Sequence, residues 1–152
     1  MLMCSNQAER KIIGRKDVVN FPSFSLIKVP VKIDSGAYTS SMHCELIEII
    51  EFGNKEQLRV VFLDPSISGY TGNEMIFDHY QVKTVKSSNG IAQERFFVKG
   101  TIELFGEVIE TQFSLTERKG LKNPILIGRR LLNKRFLIDT SKVNCSSKNS
   151  KN

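Results

Sequence analysis

A chain of 152 residues, 40% apolar and 25% charged, is long enough for one domain with a real core and has ordinary globular composition. No apolar run approaches the roughly 20 residues of a membrane span, and the opening Met1-Leu2-Met3-Cys4-Ser5 is too short for a signal h-region, so no membrane association and a cytoplasmic location are expected. The formal net charge of +6 fits a solvated surface with a basic tail, or attraction to nucleic acid, ribosome or acidic polypeptide; no aromatic-basic RNA-binding motif singles out nucleic acid.

Residues 1–10 are polar and read as a flexible N-terminus. Lys11-Ile12-Ile13-Gly14-Arg15 reads as a short strand, and Phe21-Pro22-Ser23-Phe24 as a turn. Leu26 to Ile33 alternates, with Val29, Val31 and Ile33 on one face, and Pro30 places this strand at an edge or at its own beginning. Thr39 to Cys44 is rich in Ser and Thr. Leu46 to Phe52 has acids spaced by three, as a helix could, but Ile47, Ile49 and Ile50 favour a strand. Leu58 to Leu63 is another strand, and Asp64 to Asn73, with Pro65, Gly69 and Gly72, is a loop. His79 to Val85 alternates again. Ser87-Ser88-Asn89-Gly90 is the strongest turn in the chain, because Asn-Gly tolerates the positive φ angles of a tight hairpin, which would cover about residues 80–100. Thr101–Leu104 and Val108–Leu115 form a second pair, turned at Phe105-Gly106-Glu107, followed by a charged loop at 117–120. Ile125–Ile127 is a short buried strand ended by Gly128; Leu131 and Leu132 open one or two helical turns, and Arg135–Asp139 is a last strand. Residues 141–152, nearly all Ser, Lys and Asn, read as a disordered polar and basic tail. There is no internal repeat, and about nine short strands with regular turns describe one closed or nearly closed all-β domain at 11–140.

Cys4, Cys44 and Cys145 are odd in number and irregularly spaced, which argues against a disulfide framework. With no C-x-x-C, no H-E-x-x-H, and only His43 and His79 as histidines, no metal site is expected.

The stretch that points to chemistry is Lys32-Ile33-Asp34-Ser35-Gly36-Ala37, where an apolar strand breaks into a tight loop at an aspartate. A carboxylate held there can activate water if a second carboxylate faces it. The chain has a single such loop. About 90 residues on, Leu126-Ile127-Gly128-Arg129 leads into the short helix. An apolar-Asp-Ser/Thr-Gly-Ala loop followed by two apolar residues and Gly resembles the retropepsin family of aspartic proteases. A closer resemblance rests on Lys11–Arg15, Lys32–Ala37, Ser41-Met42-His43, Val85–Gly90, Glu94-Arg95, Ser114–Arg118 and Ile127–Arg130, in that order, and spans about residues 11–141. These motifs are similar to the RimB-like family, often labelled ATP-dependent zinc proteases, whose members accompany an ATP-grasp glutamate ligase. The chain has neither a G-x-x-x-x-G-K-[S/T] nor a G-x-G-x-x-G phosphate cradle, so no cofactor is expected.

The resemblance implies a retropepsin-like closed barrel and a two-fold homodimer that pairs one Asp34 from each chain. It makes Asp34 catalytic, and Ser35, Gly36, Ala37, Ile127 and Gly128 the support of its loop. In retroviral members an acid four residues after the Asp pairs with the Arg after the second Gly. Here that position is Tyr38, so Arg129 needs another partner, or serves at an interface. The Ser87-Ser88-Asn89-Gly90 hairpin is the candidate flap, and His43 a hydrogen-bonding neighbour of the loop. The implied activity is that of an intracellular aspartic endopeptidase acting on peptide or acidic polypeptide, with glutamylated tails of a ribosomal protein as the substrate that charge and family suggest. The competing reading is an inactive binding module for the ligase or the ribosome.

Overall fold

The computed structural model describes residues 10–86, 90–117, 120 and 122–149. Eleven strands dominate it: β1 (Lys11–Ile13), β2 (Lys16–Phe21), β3 (Leu26–Ile33), β4 (Ser40–Phe52), β5 (Lys55–Phe62), β6 (Glu74–Phe77), β7 (Gln81–Lys86), β8 (Ala92–Leu104), β9 (Glu107–Thr116), β10 (Ile125–Ile127) and β11 (Phe136–Ile138). Two short helices, α1 (Arg129–Leu132) and α2 (Cys145–Asn149), complete the order, with a 3-10 turn at Pro22–Phe24.

Following hydrogen-bonded neighbours, β10, β3, β2, β8, β9 and β4 run in sequence, and β4 pairs with β10 again. The six strands therefore close a ring, which removes the free edges an open sheet would expose. β4 is long enough to serve two sheets. Its first residues lie between β9 and β10, and from Cys44 onward it turns to β5, which carries β6. Strand alternation fills the barrel from both sides: Val29, Val31 and Ile33 point inward from β3, as their spacing predicts. Phenylalanine supplies the bulk that Trp would give elsewhere. Phe24, delivered inward by the 3-10 turn, stacks on Phe62 at 4.3 Å and meets Phe113 edge-on at 5.6 Å. Its ring lies directly over Gly100, where a Cβ would overlap it.

Most strands fall where the sequence pattern puts them, including Leu46–Phe52 as strand and the 101–115 hairpin, whose Phe105 and Gly106 both take positive φ. Pro30 faces Val18 of β2, while β10 reaches β3 only at Lys32 and Ile33, so the ring of Pro30 displaces no ladder donor among the described residues. The β7–β8 hairpin pairs from Gln81 with Phe97 down to Lys86 with Ala92. Ser87, Ser88 and Asn89 lie outside the described residues, as do residues 1–9 of the expected flexible N-terminus.

The reading of 141–152 as a disordered tail needs correction over residues 141–149; residues 150–152 lie outside the described residues. Val143 bridges Lys16, the Arg15 amide donates to the Lys142 carbonyl (2.9 Å), and α2 follows. Asp17, only 1% exposed, anchors it: its carboxylate accepts from the amides of Ser146 (2.8 Å) and Ser147 (3.0 Å). A distant aspartate thus does for α2 what a local N-cap residue does elsewhere. The polar composition of the segment hid this, because the ordering group lies about 130 residues away.

Candidate active site

The Asp34 loop is a turn between β3 and β4, and β10 crosses behind it. β10 runs parallel to the end of β3, with Leu126 opposite Lys32 and Ile127 opposite Ile33, and antiparallel to the start of β4. Backbone bonds then tie the loop to this support at every step. The Asp34 amide donates to the Ile127 carbonyl (2.9 Å), the Arg129 amide to Ala37 (2.8 Å) and the Arg130 amide to Tyr38 (2.8 Å). The Gly128 amide donates to the hydroxyl of Ser40, which is 1% exposed (3.0 Å). Each bond satisfies a donor that burial would otherwise leave costly.

Gly128 explains why the apolar pair must be followed by glycine. A Cβ there would stand 2.6 Å from the Tyr38 carbonyl oxygen and 2.9 Å from that of Ala37. The loop and β10 approach closer than any side chain permits. Gly36 has a different role. It needs no left-handed backbone; its amide donates to Asp34 Oδ1 (2.9 Å), and a Cβ would lie 3.2 Å from that same oxygen. The missing side chain leaves the carboxylate approachable. Asp34 itself is half-buried, and Ser35 and Gly36 are exposed, so the loop presents its carboxylate at a surface.

Arg129 resolves the departure at Tyr38. In place of a carboxylate it takes the carbonyl of Ser35, to which Nη1 donates at 2.9 Å, and its guanidinium lies 5.7 Å from the Tyr38 ring centroid. The arginine therefore clamps the loop from the α1 side by a neutral acceptor and a π-face. Arg130 reaches the other way, donating to Gln112 Oε1 (2.9 Å).

His43 does not join this group. It lies on β4, 4% exposed, where its amide donates to the Pro124 carbonyl and Nε2 meets Asp64 Oδ2 at 2.8 Å. Pro124 immediately precedes β10 and Ile127 ends it, so the strand places His43 about 10 Å along from the Asp34 end. Its partner Asp64 also accepts from the Ser66 hydroxyl and amide. The Ser66 bonds, and then His43, hold the Asp64 carboxyl below its ordinary value. This is a buried structural pair at the start of the 64–73 loop. Among the described residues no three His, Cys, Asp or Glu side chains gather as a metal site requires. Gly90 stands exposed at the end of the β7–β8 hairpin with φ of 83°.

Two contributors were not legible in the sequence. Ser40 hides in a Ser/Thr-rich run to which the sequence assigns no element, and Tyr38 reads as a missing acid rather than a ring for Arg129.

Two proteins named as probable alpha-L-glutamate ligases are similar to the chain: one from Shewanella pealeana, 29% identical over 139 residues and 88% of this chain, and one from Desulfotalea psychrophila, 25% identical over 135 residues and 89% of it. The chain spans only 29% of the length of either. A crystal structure of a Legionella pneumophila protein of unknown function superposes with a TM-score of 0.68 at 22% identity, covering 91% of this chain and 99% of that one, which shows a shared fold. No helix among the described residues is long and apolar enough to cross a membrane. The family of the retropepsin-like aspartic endopeptidase RimB matches residues 12–149, which hold the Asp34 loop, the β10 support and the docked α2 alike, and the chain belongs to this RimB-like family.

Proposed function

We propose that the protein is an aspartic endopeptidase that works as a two-fold homodimer and hydrolyses peptide bonds in acidic polypeptides. The observation that carries this reading is the Asp34 loop itself: a surface-presented carboxylate, held from behind by β10 and Gly128, with glycine where a side chain would crowd its oxygen. One such loop per chain makes half a site, and a two-fold axis supplies the other half. Two carboxylates about 3 Å apart do not both ionise, so the pair shares a proton and titrates as a unit. The ionised Asp34 takes a proton from water, which attacks the scissile carbonyl. The protonated Asp34 of the partner subunit donates to the carbonyl oxygen, and a proton later passes to the leaving amine.

The acidic substrate class rests on the net charge of +6 and on relatives named for joining glutamate. Trimming glutamate added to a ribosomal protein tail in the cytoplasm is the specific form of this reading. Incubation with a glutamylated peptide and its unmodified control across about pH 3–8, read by mass, tests it. Shortened glutamylated peptide with wild type and none with Asp34→Asn is expected; no product at any pH contradicts it. A binding module without catalysis would instead form a tight complex with the ligase or ribosome that Asp34→Ala leaves intact.

A further inference from the structure

Arg129 borders the Asp34 loop and carries a charge that the fold leaves open. It is exposed, and none of the ion pairs among the described residues includes it. Its guanidinium has five N–H donors and makes one hydrogen bond among the described residues, from Nη1 to the Ser35 carbonyl (2.9 Å). Asp34, the obvious anion, turns instead to the Gly36 amide, which donates to its Oδ1 (2.9 Å). We propose that Arg129, with Tyr38 beside it, is the specificity-determining pair of this site and takes the side-chain carboxylate of a glutamate in the substrate. The proposal rests on the peptidase reading and names the residues that give its site an acidic preference.

The side chain is fixed in advance. Arg129 is held at both ends: its amide donates to the Ala37 carbonyl (2.8 Å) and its guanidinium to that of Ser35. It therefore spans the loop with little freedom left to lose on binding. The Tyr38 ring centroid is 5.7 Å from the guanidinium carbon, and the residue is 55% exposed. A planar guanidinium beside an open aromatic face offers a glutamate two things at once. The remaining N–H donors suit its carboxylate, and the ring gives its methylenes an apolar surface. A neutral carbonyl and a π-face cancel no charge, so this cation gains most from an incoming anion.

The position suits recognition close to the bond being cut. Ser35 directly follows Asp34, so Nη1 lies within about 9 Å of the Asp34 Cα. An extended peptide advances about 3.3 Å per residue, which puts the bound glutamate about two or three residues from the scissile bond. In the homodimer proposed above, the two-fold axis repeats Arg129 on the other side of that bond. A run of glutamates then meets one guanidinium on each side, whereas an isolated acidic residue meets only one.

The test measures binding of labelled octaglutamate and octaglutamine to full-length Asp34→Asn protein, which separates recognition from cleavage. Octaglutamate is expected to bind about tenfold tighter or more. Arg129→Gln removes the cation. Tyr38→Asp keeps the arginine and its bond to Ser35 but sets a carboxylate against it, a change that a purely anchoring Arg129 would tolerate. Each change, made in the Asp34→Asn protein, is expected to bring the preference for octaglutamate down to about twofold or less. Lys55→Gln alters the net charge by the same amount at the β4–β5 turn, at the other end of β4 from the Asp34 loop, and should leave the preference in place. Equal binding of the two peptides would overturn the proposal. So would a preference that survives either Arg129→Gln or Tyr38→Asp, or an equal loss in Lys55→Gln, which would show attraction by net charge alone. Failure of the peptidase reading shows elsewhere: protein with Asp34 intact would cleave neither peptide while the preference in binding stands.

Discussion

Arg129 and Tyr38 show how a loop is held where no acid is available to pair with the arginine. Where an acid would pair with the arginine, a carbonyl and an aromatic face serve instead, and the anchoring survives. Gly128 allows no such exchange. Gly128→Ala would drive Cβ into two backbone oxygens that are themselves bonded to Arg129 and Arg130, and is expected to cost about 1–3 kcal/mol of stability and most of the activity, read by thermal denaturation and peptide cleavage. Asp64 gives a prediction of opposite kind, on stability alone. Its folded-state pKa is depressed, so it contributes stability that is present above its unfolded value, about 3.9, and lost as pH falls through the folded value. Asp64→Asn should weaken the acid dependence of the melting temperature while leaving proteolysis at Asp34 in place; an unchanged acid limb would contradict this. Cys44 is buried, and burial, reinforced by Glu117, pushes its thiol well above the ordinary range. It should resist alkylation in the folded protein and react only on unfolding, as peptide mapping by mass would show.

At the scale of elements, the ease of reading followed the polarity of inward positions. β3, β5 and β9 bury apolar side chains at alternate places, and their pattern is plain in the sequence. β2 buries Asp17, Val19 and Phe21, so its inward face starts with a carboxylate and the alternation is broken on paper. The start of β4 buries Ser40 and His43 and carries no clear strand pattern for the same reason. These polar residues are inside because backbone amides need them: Ser40 for Gly128, Asp17 for α2. Asp17→Ala is therefore expected to cost about 1–2 kcal/mol through loss of a helix cap and to release residues 141–149, seen as fast amide exchange there with the barrel still protected. Protection of that segment equal to wild type would show that the cap is dispensable. The Asp34 loop and Gly128 were readable because their chemistry is local. Their hydroxyl support was not, because Ser40 and Gly128 are 88 residues apart.

For the whole molecule, closure of six strands into a ring fixes the loop, its support and the docked C-terminal segment in one frame, with one Asp34 loop per chain. That is the reason a second copy enters the account. If the site needs Asp34 from both chains, subunit mixing exposes it directly. Wild type and Asp34→Asn protein are mixed in equal amounts at fixed total concentration, allowed to exchange, and assayed on a glutamylated peptide. Random pairing leaves about one quarter of the dimers with two aspartates, so activity should fall to about a quarter of the wild-type value. Retention of about half, as expected when each chain acts by itself, would contradict the paired site.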